Sequence, residues 1–486
     1  MMPARAGDPG RVPPQTSRRP WQLKDSVAVG LLTSVAGLVR VLNLSRPGGF
    51  VFDEFYAADA CWYVYGSRSL CLTGHEITVV HPPLGKWLMG LGIRLFGFSP
   101  SGWRIASAVA GTLTVAALYL LARKLLSSTI GAVLAAGFLA FDFLHVVLSR
   151  TAMLDVFATA FAVFAFLCLA YDREASLAGR GGGDRWGLRR PWRLAAGLAA
   201  GAAAASKWSG WPFLVAILAL TVAGEIRVRR RGGQRRAAVR ALREEGGSIL
   251  LGLVVLPIVV YVASYAGRLE GSLLEWPWSQ GAWLRAFAAR QAFMLDFHLG
   301  LAGEHPYASP AWSWLLLKRP VLFYFTEVPG HRYQEILATG NPLVWWTSVV
   351  ALVSLAWPWA RSPGEARRFI VAGFVAGLGP WLILGGAREE VFLYLALPAV
   401  PFMCLALGAV SARVVRSRVG VGVVAALGAG TIGLFLFFYP LLTAVPLRHE
   451  PWRDRILFTD CGQEITGAPL RPRTEPGPAP GGWCWI

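Results

Sequence analysis

Long apolar segments dominate the sequence and leave few choices of fold. A helix needs about 20 mostly apolar residues to cross a bilayer core of about 30 Å. The chain is 55% hydrophobic and only 15% charged, where soluble domains are about 45–50% and about 25%. We therefore predict an all-α polytopic membrane protein with about eleven spans. They are placed at 27–44, 103–122, 128–144, 151–171, 194–208, 210–224, 247–266, 342–359, 369–385, 391–410 and 419–442.

The basic residues set the orientation of these spans. The net charge of +19 would suggest a nucleic-acid partner in a soluble protein. With a cytoplasmic N-terminus, however, the inside segments hold about 27 Lys and Arg in roughly 90 positions, against about 17 in roughly 184 outside, as the positive-inside rule requires. The surplus is therefore a topology signal, and no nucleic-acid partner is expected.

Three regions follow from this topology. Residues 1–25 are expected to be a disordered basic cytoplasmic segment, 26–442 the transmembrane domain, and 443–486 an extracytoplasmic tail. Two large outer loops, 46–101 and 268–340, are the expected place of function. The tail ends in Trp483, Trp485 and Ile486, which are expected to dock on the membrane surface.

The six cysteines divide by location. Cys168 and Cys404 fall inside predicted spans, where free thiols are ordinary. Cys61 and Cys71 share the first outer loop, and Cys461 and Cys484 share the tail. Each outer pair would lie in an oxidising compartment, so two disulfides are candidates and free thiols are the alternative.

Ionisable residues collect where the predicted spans meet the outer face. Such residues are costly near lipid and therefore suggest function. We call the following eight the rim residues: Asp53, Glu54, His81, Lys86, Arg104, Arg150, Asp155 and Lys207.

Six of the eight rim residues also have a structural alternative. Asp53 and Glu54 can begin a surface helix, Arg104 can extend to the lipid interface, and Lys207 can mark the end of a span. Arg150 can pair with Asp155, five residues later. Their joint placement on one side argues for a site instead. Two carboxylates provide a general base, and the cations beside them suit a lipid phosphate leaving group attacked by a hydroxyl.

The second outer loop carries His298, His305, Tyr307 and Trp312. Its aromatic residues suit contact with a sugar or a peptide. The alternative is an amphipathic helix on the membrane, with Trp312 and Trp314 at the interface. Two histidines without a third ligand do not indicate a metal site.

Other functional classes lack their motifs. The sequence contains no CxxC, no HExxH and no Gly-rich phosphate loop that ends in Lys-Ser or Lys-Thr, which argues against a metal hydrolase and an ATP-driven pump. A secondary transporter remains an alternative, but its ionisable residues would be expected near the bilayer midplane.

The motifs, taken together, resemble the polyprenyl-phosphate-mannose–protein mannosyltransferases of the actinobacterial type. The similarity runs in order along nearly the whole chain. It rests on Asp53-Glu54, Val80-His-Pro-Pro-Leu-Gly-Lys86, Trp103-Arg104, Ser149-Arg150 to Leu154-Asp155, Lys207-Trp-Ser-Gly210, His305-Pro-Tyr307 to Trp312-Ser-Trp314, and Arg319-Pro-Val321. The Gly-rich stretch 299–305 departs from the family pattern.

The resemblance implies a GT-C-type glycosyltransferase fold and an inverting transfer of mannose from polyprenyl-phosphate-mannose to Ser or Thr of exported, unfolded or translocating proteins. It implies that Asp53 is the base, that Glu54 places the acceptor, and that Arg104 binds the donor phosphate. Donor binding would extend to His81, Lys86, Arg150, Asp155 and Lys207, and acceptor contacts to His298, His305, Tyr307 and Trp312. It implies no metal or other cofactor, and a site on the outer face of the plasma membrane. A related enzyme for another lipid-linked sugar, or for a glycan or lipid acceptor, stays open.

Overall fold

The protein is a helical bundle with a small β-sheet at one end. The computed structural model describes residues 20–65, 80–177, 190–266, 283–301, 303–356, 364–385, 390–461, 472 and 478–486. Residues 1–19 of the segment predicted to be disordered lie outside this part of the chain. The disorder prediction was wrong for Leu23–Asp25, because these residues form the first turn of a helix and Asp25 is buried.

Helices account for most of the described residues. They are α1 (Leu23–Val41), α2 (Tyr56–Tyr65), α3 (Leu84–Phe96), α4 (Pro100–Leu126), α5 (Thr129–Ala140), α6 (Phe143–Arg150), α7 (Leu154–Leu177), α8 (Pro191–Ser206), α9 (Trp211–Arg231), α10 (Ala237–Leu250), α11 (Leu256–Ala263), α12 (Trp283–Leu299), α13 (Ala311–Trp314), α14 (Pro342–Ala356), α15 (Glu365–Leu384), α16 (Val400–Val414), α17 (Arg418–Leu442) and α18 (His449–Arg453). Polar residues begin several of them: Ser99, Ser128 and Ser417 each accept a hydrogen bond from the backbone N–H three residues later.

Each of the eleven predicted spans coincides with a helix, but the described residues do not confirm eleven crossings. Seven helical segments are long and apolar enough to cross a membrane, and a bent pair, α5 with α6, makes an eighth. The other three coincide with α1, which carries Lys24, Asp25 and Arg40, and with α8 and α14, which have only 16 and 15 residues. The membrane fold is thus confirmed and the number of crossings stays a prediction.

The segment predicted as one span at 128–144 is broken. The axes of α5 and α6 differ by 58° across Phe141 and Asp142. The Asp142 carboxylate accepts a hydrogen bond from the backbone N–H of His145 (2.9 Å) and so starts a new helix. It also accepts from the indole of Trp345 (2.8 Å) on α14. A continuous span was therefore the wrong prediction, because an acid in an apolar run caps a helix.

Ion pairs and close packing hold the long helices together. At one end of the bundle, the Arg123 guanidinium of α4 pairs with Asp25 of α1 (2.8 Å). At the other end, Arg104 of α4 contacts the loop that follows α1. α1 and α4 therefore run antiparallel, and the positions of their ends are fixed by charge.

A three-stranded antiparallel sheet was not predicted. β1 (Val321–Val328) pairs with β2 (Arg332–Ala338), and β2 pairs with β3 (Leu447–Arg448). The turn contains Gly330 at a φ of 85°, a value that glycine adopts readily. The sheet places part of the second outer loop against the tail, so the fold is predominantly, but not entirely, helical.

The tail packs onto the protein. Cys461 and Cys484, one of the two candidate pairs, form a disulfide. Trp485 and Ile486 are buried, and the Trp485 indole donates to the carbonyl of Leu317 (2.8 Å). The prediction of docking on the membrane surface was wrong for Trp485 and Ile486, because protein contacts cover their side chains, and it stays a prediction for the partly exposed Trp483. Cys61 is disulfide-bonded, but Cys71 lies outside the described residues, so their pairing stays a prediction.

Candidate active site

The loop between α1 and α2 carries Asp53 and Glu54, and Glu54 organises it. One carboxylate oxygen of Glu54 accepts a hydrogen bond from the N–H of Val51 (2.9 Å), and the other accepts from the N–H of Ala152 (2.8 Å). Arg104 donates to both oxygens (2.7 and 2.6 Å). The Glu54 side chain is buried and accepts four hydrogen bonds from the protein. Its geometry favours a positioning role in place of the expected acceptor contact.

Arg104 is buried and points into the protein. Besides Glu54, its guanidinium donates to the carbonyl oxygens of Leu44 (3.2 Å), Pro47 (2.8 Å) and Gly49 (2.8 Å). These contacts use all three guanidinium nitrogens. The arrangement contradicts an extension of Arg104 to the lipid interface, and it favours positioning of the loop over the expected contact with the donor phosphate.

Arg150 holds the same loop from its other end. Its guanidinium donates to the carbonyl oxygens of Val39 (2.9 Å), Arg40 (2.9 Å) and Asn43 (3.2 Å). The last carbonyl groups of a helix lack partners within it, and a cation there complements the helix dipole. Arg150 therefore caps the C-terminal end of α1 and does not pair with Asp155.

Phe52, next to Asp53, adopts a strained backbone. Its φ is 49°, in the left-handed region that costs an ordinary residue about 1–2 kcal/mol. Its ring stacks on Phe323 of β1, with centroids 4.4 Å apart, and meets Tyr394 edge-on at 5.5 Å. These contacts with the second outer loop and with the turn before α16 hold the strained residue in place.

Asp155 and Lys207 form an ion pair beside Asp53. The ammonium of Lys207 donates to both carboxylate oxygens of Asp155 (2.9 and 2.7 Å), and it lies 5.8 Å from the centroid of the Tyr394 ring. Of three ammonium hydrogens, two are directed at Asp155, which leaves one donor. Lys207 is partly exposed, whereas Lys86, Arg104 and Arg150 are buried.

Asp53 differs from the other rim carboxylates, Glu54 and Asp155, whose oxygens accept hydrogen bonds from other residues. It is partly exposed, and no hydrogen bond or ion pair joins its carboxylate to another residue in the described part of the chain. Burial among protein atoms raises the pKa of Asp53 to about 6, with Lys207 opposing the shift and Asp155 adding to it. A carboxylate with this pKa is suited to accept a proton near neutral pH.

The first outer loop brings His81 and Lys86 to the site. Lys86 is buried and pairs with Asp59 of α2 (2.7 Å), a residue that the sequence did not single out. Gly85, beside it, packs so closely on α7 that an added Cβ would lie 2.6 Å from the Leu154 side chain. The glycine of this motif therefore permits α3 to approach α7.

His81 and His298, which were expected on the donor side and the acceptor side of the site, contact each other. Their rings stack with centroids 5.1 Å apart, and Tyr56 meets His81 edge-on at 5.5 Å. A ring nitrogen of His298 hydrogen-bonds the carbonyl of Val80 (2.8 Å). These contacts join α12 to the first outer loop.

His305 and Tyr307 support the tail as well as the site. The Arg319 guanidinium lies 4.4 Å from the centroid of the Tyr307 ring and donates to the carbonyl oxygens of Pro306 and Cys484 (2.8 and 2.9 Å). His305 meets Phe392 edge-on at 4.9 Å, and Phe392 stacks with Tyr394 at 5.8 Å. His305 is thus connected to the Asp53 loop through aromatic rings.

Trp312 is more than half exposed, at 58% of its surface, as a residue at a membrane interface or a binding surface would be.

Within the described residues, no three His, Cys, Asp or Glu side chains are grouped to hold a metal ion. A metal-independent reaction stays a prediction.

Two parts of the chain match known families. Residues 80–242 match the family described as dolichyl-phosphate-mannose-protein mannosyltransferase, and residues 283–460 match the C-terminal four TMM region of protein-O-mannosyltransferase. The polyprenol-phosphate-mannose–protein mannosyltransferase of Mycolicibacterium smegmatis is 30% identical, in an alignment that covers 92% of this chain and 95% of the relative. The chain belongs to this family.

Other relatives bear the same description. The proteins of Mycobacterium tuberculosis and Corynebacterium glutamicum are 29% and 28% identical, over 90% and 82% of this chain and 91% and 84% of their own lengths. Membership of the family displaces the transporter alternative.

Two solved structures share the fold. One is the protein O-mannosyltransferase Pmt1-Pmt2 complex of S. cerevisiae bound to the sugar donor, with a TM-score of 0.71, 15% identity, and coverage of 90% of this chain and 93% of that chain. The other is ArnT from Cupriavidus metallidurans bound to undecaprenyl phosphate, with a TM-score of 0.54, 18% identity, and coverage of 85% and 65%. The predicted GT-C-type glycosyltransferase fold is confirmed for this mannosyltransferase family member.

Sequence reasoning missed several residues that shape the site. Phe52, Asp59, Phe323 and Tyr394 fall in this group. Asp59 follows Asp53-Glu54 by one helical turn or more, and the acid in an apolar helix was a usable signal. Phe323 and Tyr394 gave none, because single aromatics are common throughout this chain.

Proposed function

We propose that this protein transfers mannose from polyprenyl-phosphate-mannose to Ser or Thr hydroxyls of exported proteins, with inversion at the anomeric carbon. The observation that carries the assignment of roles is the open Asp53 carboxylate, on a loop fixed by Glu54 and Arg104 and next to Lys207. Membership of the mannosyltransferase family supports the sugar and the acceptor class.

Asp53 acts as the general base in this proposal. It accepts the proton of the acceptor hydroxyl as the hydroxyl oxygen bonds to the anomeric carbon of mannose. The bond from that carbon to the phosphate oxygen breaks, and polyprenyl phosphate departs with the electron pair. Because one displacement occurs, the configuration at the anomeric carbon inverts.

Lys207 is the cation that we assign to the donor phosphate. Lys86, Arg104 and Arg150 donate to protein groups and are buried, whereas the partly exposed Lys207 has a third N–H beyond the two that bond Asp155. Asp155 orients that ammonium. A fixed cation stabilises the charge that develops on the departing phosphate.

The place of the reaction follows the charge distribution. The basic segments are assigned to the cytoplasm, which puts Asp53 and the two large loops on the extracytoplasmic face of the plasma membrane. An acceptor approaching there would be unfolded or still in translocation, so that its hydroxyl reaches a site close to the lipid surface.

A reconstituted assay tests the proposal. Proteoliposomes with the full chain are given radiolabelled polyprenyl-phosphate-mannose and a Ser/Thr-rich peptide, with and without chelator. We expect labelled peptide, none with an Ala-substituted peptide, and an α- or β-configuration opposite to that of the donor. Transfer from another lipid-linked sugar in preference to mannose would instead support the related-transferase alternative.

A further inference from the structure

A cleft lies between α7, α9 and α15, at the end of the bundle away from Asp53. Its arginines are Arg173, Arg227, Arg231 and Arg368. Arg173 follows Asp155, which pairs with Lys207 beside Asp53, by about 18 residues of α7, or about 27 Å of helix. The distribution of Lys and Arg predicts that this end faces the cytoplasm.

Positive charge in this cleft is poorly balanced. Glu365 is the acidic residue of its lining, and its carboxylate lies 3.6 Å from the Arg173 guanidinium. In the part of the chain that the structure describes, no carboxylate lies within ion-pair distance of Arg227, Arg231 or Arg368. Among the described residues, Arg227 donates to the carbonyl of Ala223 on its own helix (2.9 Å) and to no other group.

Arg173 forms the base of the cleft and is closely packed. Arg173 is buried and pairs with Glu225 of α9 (3.2 Å). Gly224 lies flat against it, since an added Cβ would be 2.4 Å from the Arg173 guanidinium carbon. The position of this arginine is therefore set by a close approach of α9 to α7, and the remaining arginines surround it from α9 and α15.

Apolar side chains continue the cleft toward the membrane. Leu220 and Phe369 line it together with the arginines. The arginines at the opening of the cleft can bind an anionic lipid headgroup, and the apolar wall between the helices can contact the lipid's acyl chains. A guanidinium group can donate two parallel hydrogen bonds to two oxygens of one phosphate. The cytoplasmic leaflet is also the leaflet that attracts basic residues through its negative charge.

We infer that this cleft binds a phosphate group, supplied by an anionic phospholipid of the cytoplasmic leaflet or by a soluble phosphate. The site is separate from the proposed transfer reaction, and its test does not require activity.

Thermal unfolding of the full chain in lipid nanodiscs tests the inference. Phosphatidylcholine nanodiscs with and without phosphatidylglycerol form one arm, and phosphatidylcholine nanodiscs with inorganic phosphate at constant ionic strength form the other. We expect phosphatidylglycerol to raise the Tm of the wild type. An equal rise with inorganic phosphate alone would identify a soluble phosphate as the source, and no rise in either arm would overturn the inference.

Arg227→Gln with Arg368→Gln is the test variant. We expect it to weaken phosphatidylglycerol binding, measured by native mass spectrometry, about tenfold, since it removes two charged hydrogen-bond donors. Arg235→Gln with Arg240→Gln removes the same charge from exposed residues near the same end and is the matched control. Equal weakening in both pairs would show diffuse attraction and contradict a defined site.

Glu365→Gln gives a result of opposite sign. It removes the acidic residue from the lining, so we expect tighter binding than in the wild type. A variant that merely disturbed the fold would bind less, and weaker binding by Glu365→Gln would therefore contradict the inference.

Discussion

The guanidinium of Arg104 donates a hydrogen bond to each carboxylate oxygen of Glu54, at 2.7 and 2.6 Å, and both side chains are fully buried. The pair joins α4 to the loop that carries Asp53. Arg104 and Glu54 thus set the position of the proposed base, and the chemistry falls to Asp53 itself.

A double-mutant cycle measures this pair. Removing one partner of a buried ion pair costs about 3–5 kcal/mol, because the other charge stays buried without compensation. We expect Glu54→Gln and Arg104→Met each to lower thermal stability in detergent strongly, and the double variant to be less unstable than the sum of the two. Additive losses would show that the two side chains act independently.

Positioning by Arg104 also has a kinetic signature. Arg104→Lys keeps the charge but not the five hydrogen bonds, so we expect kcat to fall while the KM for polyprenyl-phosphate-mannose changes little. A large rise in KM with kcat preserved would return Arg104 to the donor-binding role expected from the sequence.

Asp53→Asn removes the proposed base. An amide cannot accept the hydroxyl proton, so we expect transfer to fall by about 100-fold or more while expression and membrane insertion persist. Glu304→Gln, which neutralises an exposed carboxylate of the second outer loop, is the matched control and should retain activity. An Asp53→Asn enzyme that transfers mannose at the wild-type rate would refute the assignment.

The rate should depend on the protonation of Asp53. Its pKa is raised to about 6, so kcat/KM should decline as the pH falls through about 6, where the base becomes protonated. Lys207 lowers the pKa of Asp53; Lys207→Met therefore should move this decline to higher pH. The pH profile of each enzyme checks the shift, and a decline that moves to lower pH would contradict the electrostatic coupling.

Glu335 of β2 should make stability depend on pH. Burial raises its pKa from 4.5 to about 8, and its carboxyl accepts a hydrogen bond from Trp452. Between these values the unfolded chain loses the proton while the folded protein keeps it, so Glu335 makes folding less favourable as the pH rises from about 4.5 to 8. We expect Glu335→Gln to flatten this part of the stability profile, measured by thermal unfolding. An unchanged slope would contradict a protonated Glu335.

The disulfide Cys461–Cys484 should hold the tail on the protein. Closing a loop with a separation of 23 residues stabilises the folded state by about 3 kcal/mol in the chain-entropy description. We expect Cys461→Ser with Cys484→Ser to speed proteolysis of the tail. Cys168→Ser, at a free thiol, serves as the control. Equal protease resistance in both variants would show that noncovalent contacts suffice.

Apolar runs made the helices predictable, and they also placed the rim residues at one end of the bundle. The partners of those residues were not predictable from spacing. Lys207 pairs with Asp155, 52 positions away, whereas Arg150, only five away, faces α1. Such pairs depend on how the helices pack against one another, and helix packing cannot be deduced from the spacing of residues along the chain.

The sheet had a local signal that the prediction did not use. Val321–Val328 is rich in β-branched and aromatic residues, and it is followed by Pro329-Gly330-His331, a typical hairpin composition, before the second strand, Arg332–Ala338. Phe323 lies on the first strand of this hairpin and contacts Phe52 there, so its role was missed together with the hairpin.

Arg150 and Arg104, from two different helices, hydrogen-bond the backbone between α1 and Asp53. Between them they bind six backbone carbonyl groups, from Val39 to Gly49. A loop so anchored has little freedom to follow a substrate. We therefore expect the Asp53 loop to keep its position during turnover, so that the lipid-linked sugar and the acceptor polypeptide must move to Asp53.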